Sequence, residues 1–258
     1  MKNNRPLKER IHQGELTLGS WITLAHPAIP EIMAKSGFDW LAVDLEHSVI
    51  TIREAEELIR VIDLVGVSPL VRLTNNDPNL IKRVMDAGSH GVIVPMINTA
   101  NEAKRAVSAV KYPRKGIRGV GLARAQGYGD HFREYFQWQE KYSIVIVQIE
   151  HIDAVNNLEE IFSVEGVDGF IIGFYDLSGS MGILGEFEND KFLSVMDRIK
   201  QIASDMKIPG GVHITEPDLK QLDLRVSEGY SFIAYSLDIR MLDVNCKNAT
   251  REFERLRK

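Results

Sequence analysis

Cysteine is all but missing: Cys246 stands alone among 258 residues. One thiol closes no disulfide framework and builds no thiolate metal cluster, which suits a reducing compartment and makes the cytoplasm the expected location. A basic excess is missing too, with 31 Lys and Arg against 36 Asp and Glu and a formal net charge of −5. Such a chain has little to neutralise a phosphate backbone, so nucleic acid is not an expected partner. No run approaches the ~20 apolar residues that span a bilayer, and the charged start MKNNRPLKER leads into no apolar signal core. Neither a membrane nor secretion is expected. The phosphate loop GxxxxGK[ST], a GxGxxG behind the first strand and the zinc helix HExxH are also absent, removing the usual signatures of nucleotide hydrolysis, dinucleotide binding and zincin chemistry.

What is present is alternation. Short β-branched runs take turns with longer amphipathic stretches, and the strands expected at 17–23, 40–46, 69–73, 91–96, 143–150, 169–173, 209–214 and 230–235 number eight. Between them, 51–64 carries Ile52, Ala55, Leu58, Ile59 and Ile62 at helical spacing, and 77–87 follows an Asn-rich turn. Strict alternation implies parallel strands covered on both faces, which accounts for continuous apolar runs such as IVIV at 144–147 and GFII at 169–172. The expectation is an α/β fold, a (β/α)8 TIM barrel forming a single domain over 1–258. One long interruption, YPRKGIRGVGLARAQGYGD at 112–130, lacks clear periodicity and reads as a functional loop or lid, or as an exposed linker.

In such a barrel, chemistry collects where strands end, because the loops there form a pocket above a packed interior. Strand two ends in Asp44, Glu46 and His47, strand three in Arg72, strand five in Gln148 and Glu150, and strand six runs into Asp176. Glu150 and Asp176 lie at the mouths of neighbouring strands, so their carboxylates could share one divalent ion of the oxygen-loving, water-retaining kind. The bland alternative for each is a salt bridge or a helix cap. Arg72, a cation among apolar strand ends, needs an anion; a substrate carboxylate would supply it, and so would permanent pairing with Asp44 or Glu46. His47 is a candidate general base, or a merely solvated loop histidine. No lysine falls in the eight strands, leaving a Schiff-base aldolase without its amine.

Taken together, GSW at 19–21, FDWLAVDLEHS at 38–48, PLVR at 69–72, MDAGSHGVIVPMI at 85–97, YPRKGIRG at 112–119, QIE at 148–150 and DLSGSMG at 176–182 resemble the HpcH/HpaI aldolases, the class II pyruvate aldolases, over nearly the whole chain. The resemblance implies a metal-dependent lyase that cleaves a 4-hydroxy-2-oxo acid to pyruvate and an aldehyde. It implies Mg²⁺, Mn²⁺ or Co²⁺ on Glu150 and Asp176, Arg72 beside the keto oxygen, and His47 paired with Asp44. Gln148, Trp21 and Gly173 would complete the substrate pocket. It further implies a homo-oligomer, trimer or hexamer, with the C-terminal helix exchanged between subunits, Asp86 sent into an adjacent site and Arg124 as a substrate contact. One departure stands out: family members usually carry Pro and a small residue or Asn after the glycine, where this chain has Phe174 and Tyr175. Losing proline frees the backbone beside Asp176, and two rings alter the volume available to the acceptor, with Tyr175 placed to touch it. Other readings remain: a CoA-ester lyase of the citrate lyase β or malyl-CoA type, a phosphate-handling barrel suggested by Gly210 and Gly211, and a catalytically silent barrel that binds 2-oxo acids.

Overall fold

The computed structural model describes residues 5–257. Eight parallel strands close on themselves in sequence order: β1 (Thr17–Ile22), β2 (Trp40–Asp44), β3 (Ser68–Arg72), β4 (Gly91–Val94), β5 (Ile144–Ile149), β6 (Gly169–Ile172), β7 (Gly210–Ile214) and β8 (Phe232–Leu237). The helices are α1 (Leu7–His12), α2 (Ala28–Lys35), α3 (Ile52–Leu64), α4 (Pro78–Asp86), α5 (Ala100–Val110), α6 (Phe132–Tyr142), α7 (Ile152–Asn156), α8 (Leu158–Phe162), α9 (Phe174–Ser180), α10 (Asp190–Met206), α11 (Leu219–Ser227) and α12 (Asp238–Leu256). The expected (β/α)8 barrel is therefore the observed one. Among the described residues no helix is long and apolar enough to cross a membrane.

Strand ends differ from the sequence expectation for identifiable reasons. β2 stops at Asp44 rather than 46 because the Asp44 carboxylate takes the backbone N–H groups of Glu46, at 3.0 Å, and His47, at 3.3 Å, which turns the chain. β4 stops at Val94 because Pro95 has no N–H to give the ladder. β8 begins two residues late, at Phe232, after Gly229 turns the chain at φ +91°. The two helix starts expected from the sequence hold, with Thr51 and Glu54 capping α3 reciprocally and Asp77 capping α4 by accepting the Asn79 N–H; Thr99 and Glu102 also cap α5.

Alternation sorts the side chains into two cores. Outward residues such as Val43, Val92, Val147 and Val212 pack under the helices, while Trp21, Trp40, Ala42, Leu70, Ile93, Ile146, Ile171 and Phe232 fill the barrel. Large and small residues interlock there. Trp40 stacks on Phe232 at 4.2 Å, and its ring lies where β1 carries Gly19, since a Cβ on that glycine would come within 2.0 Å of the indole.

Helix α1 plugs the end of the barrel at which the strands begin, burying Leu7 and Ile11 against this inner core. Buried Asp168, just ahead of β6, is the latch: it receives Lys8 at 2.8 Å, His12 Nε2 at 2.9 Å and the Val145 backbone N–H at 2.9 Å. Asp168→Ala should strand those donors and lower stability by about 2–4 kcal/mol; thermal unfolding that matches the parent would contradict the latch.

Candidate active site

The strand ends converge at the opposite opening. In-register pairing sets Asp44 of β2 beside Arg72 of β3, and the guanidinium grips the carboxylate with two bonds, Nε at 2.9 Å and Nη2 at 2.6 Å. Both are largely withdrawn from water, with Asp44 1% and Arg72 12% exposed along the side chain. Beneath them lies the ring of Trp21, with Arg72 Cζ 4.3 Å from its centroid. Of the two kinds of anion the sequence left open for Arg72, the permanent partner Asp44 is the one seen here. Glu46 stands 3.5 Å from Arg72 Nε, and burial pushes its carboxyl up to about 7 against the pull of Arg72, with Glu150, Asp44 and Asp176 adding to the rise.

On the other side, Glu150 follows the end of β5 and is buried; one oxygen accepts the Met96 backbone N–H at 2.7 Å and the other accepts Gln148 Nε2. Met96 delivers that amide from a left-handed backbone, φ +52°, a strain that recurs at Ser236 on β8. Burial raises the Glu150 pKa, and the nearby Asp176 charge raises it further against the bonds from Gln148 and Met96. Gly173 makes the close approach possible, because a Cβ there would fall 2.9 Å from Glu150 Oε2. Asp176 sits in the first turn of α9, exposed.

Four carboxylates, Asp44, Glu46, Glu150 and Asp176, thus face one guanidinium. Two of them, Glu46 and Glu150, hold their protons more readily than usual because burial withdraws them from water and neighbouring carboxylates add to the effect. A divalent ion between Glu150 and Asp176 fits that excess of acids, and an all-oxygen pair suits a hard ion that keeps water or substrate in its remaining positions. Among the described residues no three His, Cys, Asp or Glu side chains form a ready-made metal cage.

Several expected members lie elsewhere or act differently. The His47 ring does not reach Asp44, whose oxygens are occupied by Arg72 and by backbone amides; the ring is 65% exposed at the rim, 3.8 Å from Glu46. Tyr175 is 57% exposed and edge-on to Phe187 at 5.0 Å, while Phe174 turns inward against Phe187 and Phe192. Arg124, expected as a substrate contact, is not at this mouth, and neither is Asp86, for which an adjacent site was the expectation. Asp86 ends α4 at the barrel's far rim and holds Arg118 at 2.9 Å; Arg124 binds Asp63 near the end of α3 at 2.6 Å and the Ala87 carbonyl at 3.2 Å. The 112–130 segment is accordingly not a lid over its own chain's mouth. Fully buried Arg118 pins it through the Tyr112 and Tyr135 hydroxyls at 3.0 and 2.9 Å. A hollow of about 610 Å³ at that far rim is lined by Asp63, His90, Arg124 and Trp138. Met96 and His213 were not singled out by the sequence, and Glu46 was noted only as a strand-end acid and a possible partner of Arg72.

The raised Glu46 pKa has a consequence for the metal-free protein. A carboxyl whose folded pKa lies near 7, above its ordinary 4.5, favours the fold below 4.5 and loses that contribution as pH rises through 7. Metal-free protein should therefore lose stability between those limits, and Glu46→Gln should flatten the loss; identical pH profiles in denaturant melts would contradict it.

The family model described as HpcH/HpaI aldolase/citrate lyase matches residues 17–242. The chain is 34% identical over 238 residues, 91% of each chain, to the hydroxypyruvate/pyruvate aldolase of Roseobacter denitrificans. It is 36% identical over 246 residues, 94% of this chain and 91% of the relative, to the 4-hydroxy-2-oxo-heptane-1,7-dioate aldolase of Salmonella paratyphi C. The crystal structure of a HpcH/HpaI aldolase/citrate lyase family protein from Burkholderia cenocepacia superposes with a TM-score of 0.90 at 30% identity, covering 96% of this chain and 98% of that one.

Proposed function

Since the chain belongs to the HpcH/HpaI aldolase/citrate lyase family and its relatives are aldolases, we propose that it is a metal-dependent class II aldolase that reversibly cleaves a 4-hydroxy-2-oxo acid into pyruvate, or a close 2-oxo acid, and an aldehyde. The observation that carries this reading is the convergence of a carboxylate-anchored guanidinium and two mutually opposed acids on one barrel mouth. Glu150 and Asp176 would hold the divalent ion, Mg²⁺, Mn²⁺ or Co²⁺, which supplies Lewis-acid stabilisation of negative charge on a substrate oxygen.

The protein's own groups divide the remaining work. Asp44 occupies Nε and Nη2 of Arg72, leaving other N–H donors of a now rigid fork for the keto oxygen, where charge develops as the enolate forms. The backbone N–H groups of 174–176, in the first turn of α9, would receive the substrate carboxylate where Gly173 leaves room. Gln148 fixes the orientation of Glu150, and Trp21 supports Arg72 from below. His47, its ring exposed at the rim beside Glu46, would take the proton of the 4-hydroxyl as the C3–C4 bond breaks and the aldehyde leaves; protonation of C3 then yields pyruvate. Tyr175, exposed beside Asp176, would meet the aldehyde portion.

Helix α12 supports an oligomer. Asp238 at its start is its one buried residue and Met241 packs partly against the core, while Leu242, Phe253 and Leu256 are left exposed. We propose that α12 packs on a neighbouring subunit in a trimer or hexamer, an assembly in which Asp86 and Arg124 at the far rim serve an adjacent mouth. Sedimentation equilibrium should give three or six times 29.1 kDa; a monomer mass would refute the assembly.

Chelator-treated protein should release pyruvate from 4-hydroxy-2-oxo acids roughly 100-fold more slowly than the parent and recover with Mg²⁺, Mn²⁺ or Co²⁺. Turnover that survives complete metal removal would defeat the mechanism.

A further inference from the structure

β7 alternates in the ordinary way: Val212 and Ile214 face outward into the helix-covered core, and His213 faces into the barrel. Its inward neighbours are apolar or already paired. The ring meets Trp21 edge to face, with centroids 5.6 Å apart and planes at 76°, and Trp21 in turn carries the Arg72 guanidinium at 4.3 Å. His213 Nε2 is closed off from solvent and has no hydrogen-bond partner, and the same is true of Trp21 Nε1.

An unpaired buried acceptor weakens a fold, and a leucine or valine would suit an interior made of Ile, Leu and Ala. A polar ring at this position therefore works against packing and calls for another role. The groups around it define one. Arg72 and Asp44 act on it through space, and the Ser236 backbone offers its ring a hydrogen-bond partner. Burial, reinforced by the Arg72 charge and opposed by Ser236 and Asp44, pulls the imidazole down to about 4, so at neutral pH it stands uncharged and does not repel the guanidinium.

We propose that His213 is a positioning residue for Arg72, acting through the Trp21 ring. It holds the indole at the angle that presents its face to the guanidinium, while Asp44 fixes the other side of the same group. Arg72 is thereby located from two directions, which is what a group aimed at a developing charge requires. The proposal rests on the reading that Arg72 acts on a bound 2-oxo acid.

The test uses metal-loaded full-length protein and the exchange of pyruvate C3 protons into D2O, which needs the oxo-acid half of the site and no aldehyde. His213→Leu should melt at or above the parent temperature, because it removes an unpaired acceptor. Its exchange kcat should nevertheless fall roughly tenfold or more, as expected for a displaced catalytic partner, with the pyruvate KM changing far less. In an Arg72→Lys background the same substitution should add almost nothing, because its effect runs through Arg72. His213→Gln, which keeps an acceptor and a flat face, should restore part of the loss. Additive losses, or a lowered melting temperature with kcat and KM damaged together, would assign His213 a purely structural part and overturn the proposal. If the parent exchanges no protons at all, the oxo-acid reading has failed on its own account. A crystal structure of His213→Leu then decides positioning separately: Arg72 unmoved over Trp21 rejects it, and Arg72 displaced upholds it.

Discussion

The bidentate bond between Asp44 and Arg72 is the constraint from which the mouth of this barrel is built. It joins the ends of two adjacent strands, consumes the charge that would otherwise make a buried guanidinium costly, and fixes that group in a plane. The same Asp44 also gathers the amides of Glu46 and His47, so one carboxylate ends β2, turns the loop and anchors the cation. Remove it and the strand end, the loop and the fork lose their common reference.

Around that anchor the charge is deliberately unbalanced. A stable surface would pair each acid with a base; here Glu46 and Glu150 are drawn out of water beside other carboxylates, an arrangement that costs stability and that a bound cation would relieve. Met96 contributes in the same spirit, giving up a relaxed backbone to point one amide at Glu150. Strain and charge excess sit at the mouth, while the opposite end is latched by the ordinary pairing of Asp168 with Lys8 and His12.

Much of this was legible in the sequence, for a physical reason. Period-two runs alternating with helical periods leave few architectures open, and a parallel barrel puts its strand ends on one side, so Asp44, Arg72, Glu150 and Asp176 could be grouped before any coordinates. Details set by the backbone were not legible. Nothing in the letters around Met96 announces a left-handed residue, and His213 in GGVHI looks like any strand histidine until its inward face and unpartnered Nε2 are seen. The His47 ring illustrates the converse. Its three-residue spacing from Asp44 allows a pairing, but the carboxylate had better-placed donors in its own loop and in Arg72. For Arg124, residue type was readable and placement was not, because nothing local to its motif says which rim it occupies.

The interior shows how tightly such a barrel ties its positions together. Trp40 occupies the space that a side chain on Gly19 would need, and it lies flat on Phe232 across the same layer. Three strands therefore share one volume, and a lineage cannot enlarge the first without shrinking the second or tilting the third. Drift at these sites must come as coordinated exchange, so the floor beneath the chemistry is free to change only in groups, while the loops above it remain free to vary singly.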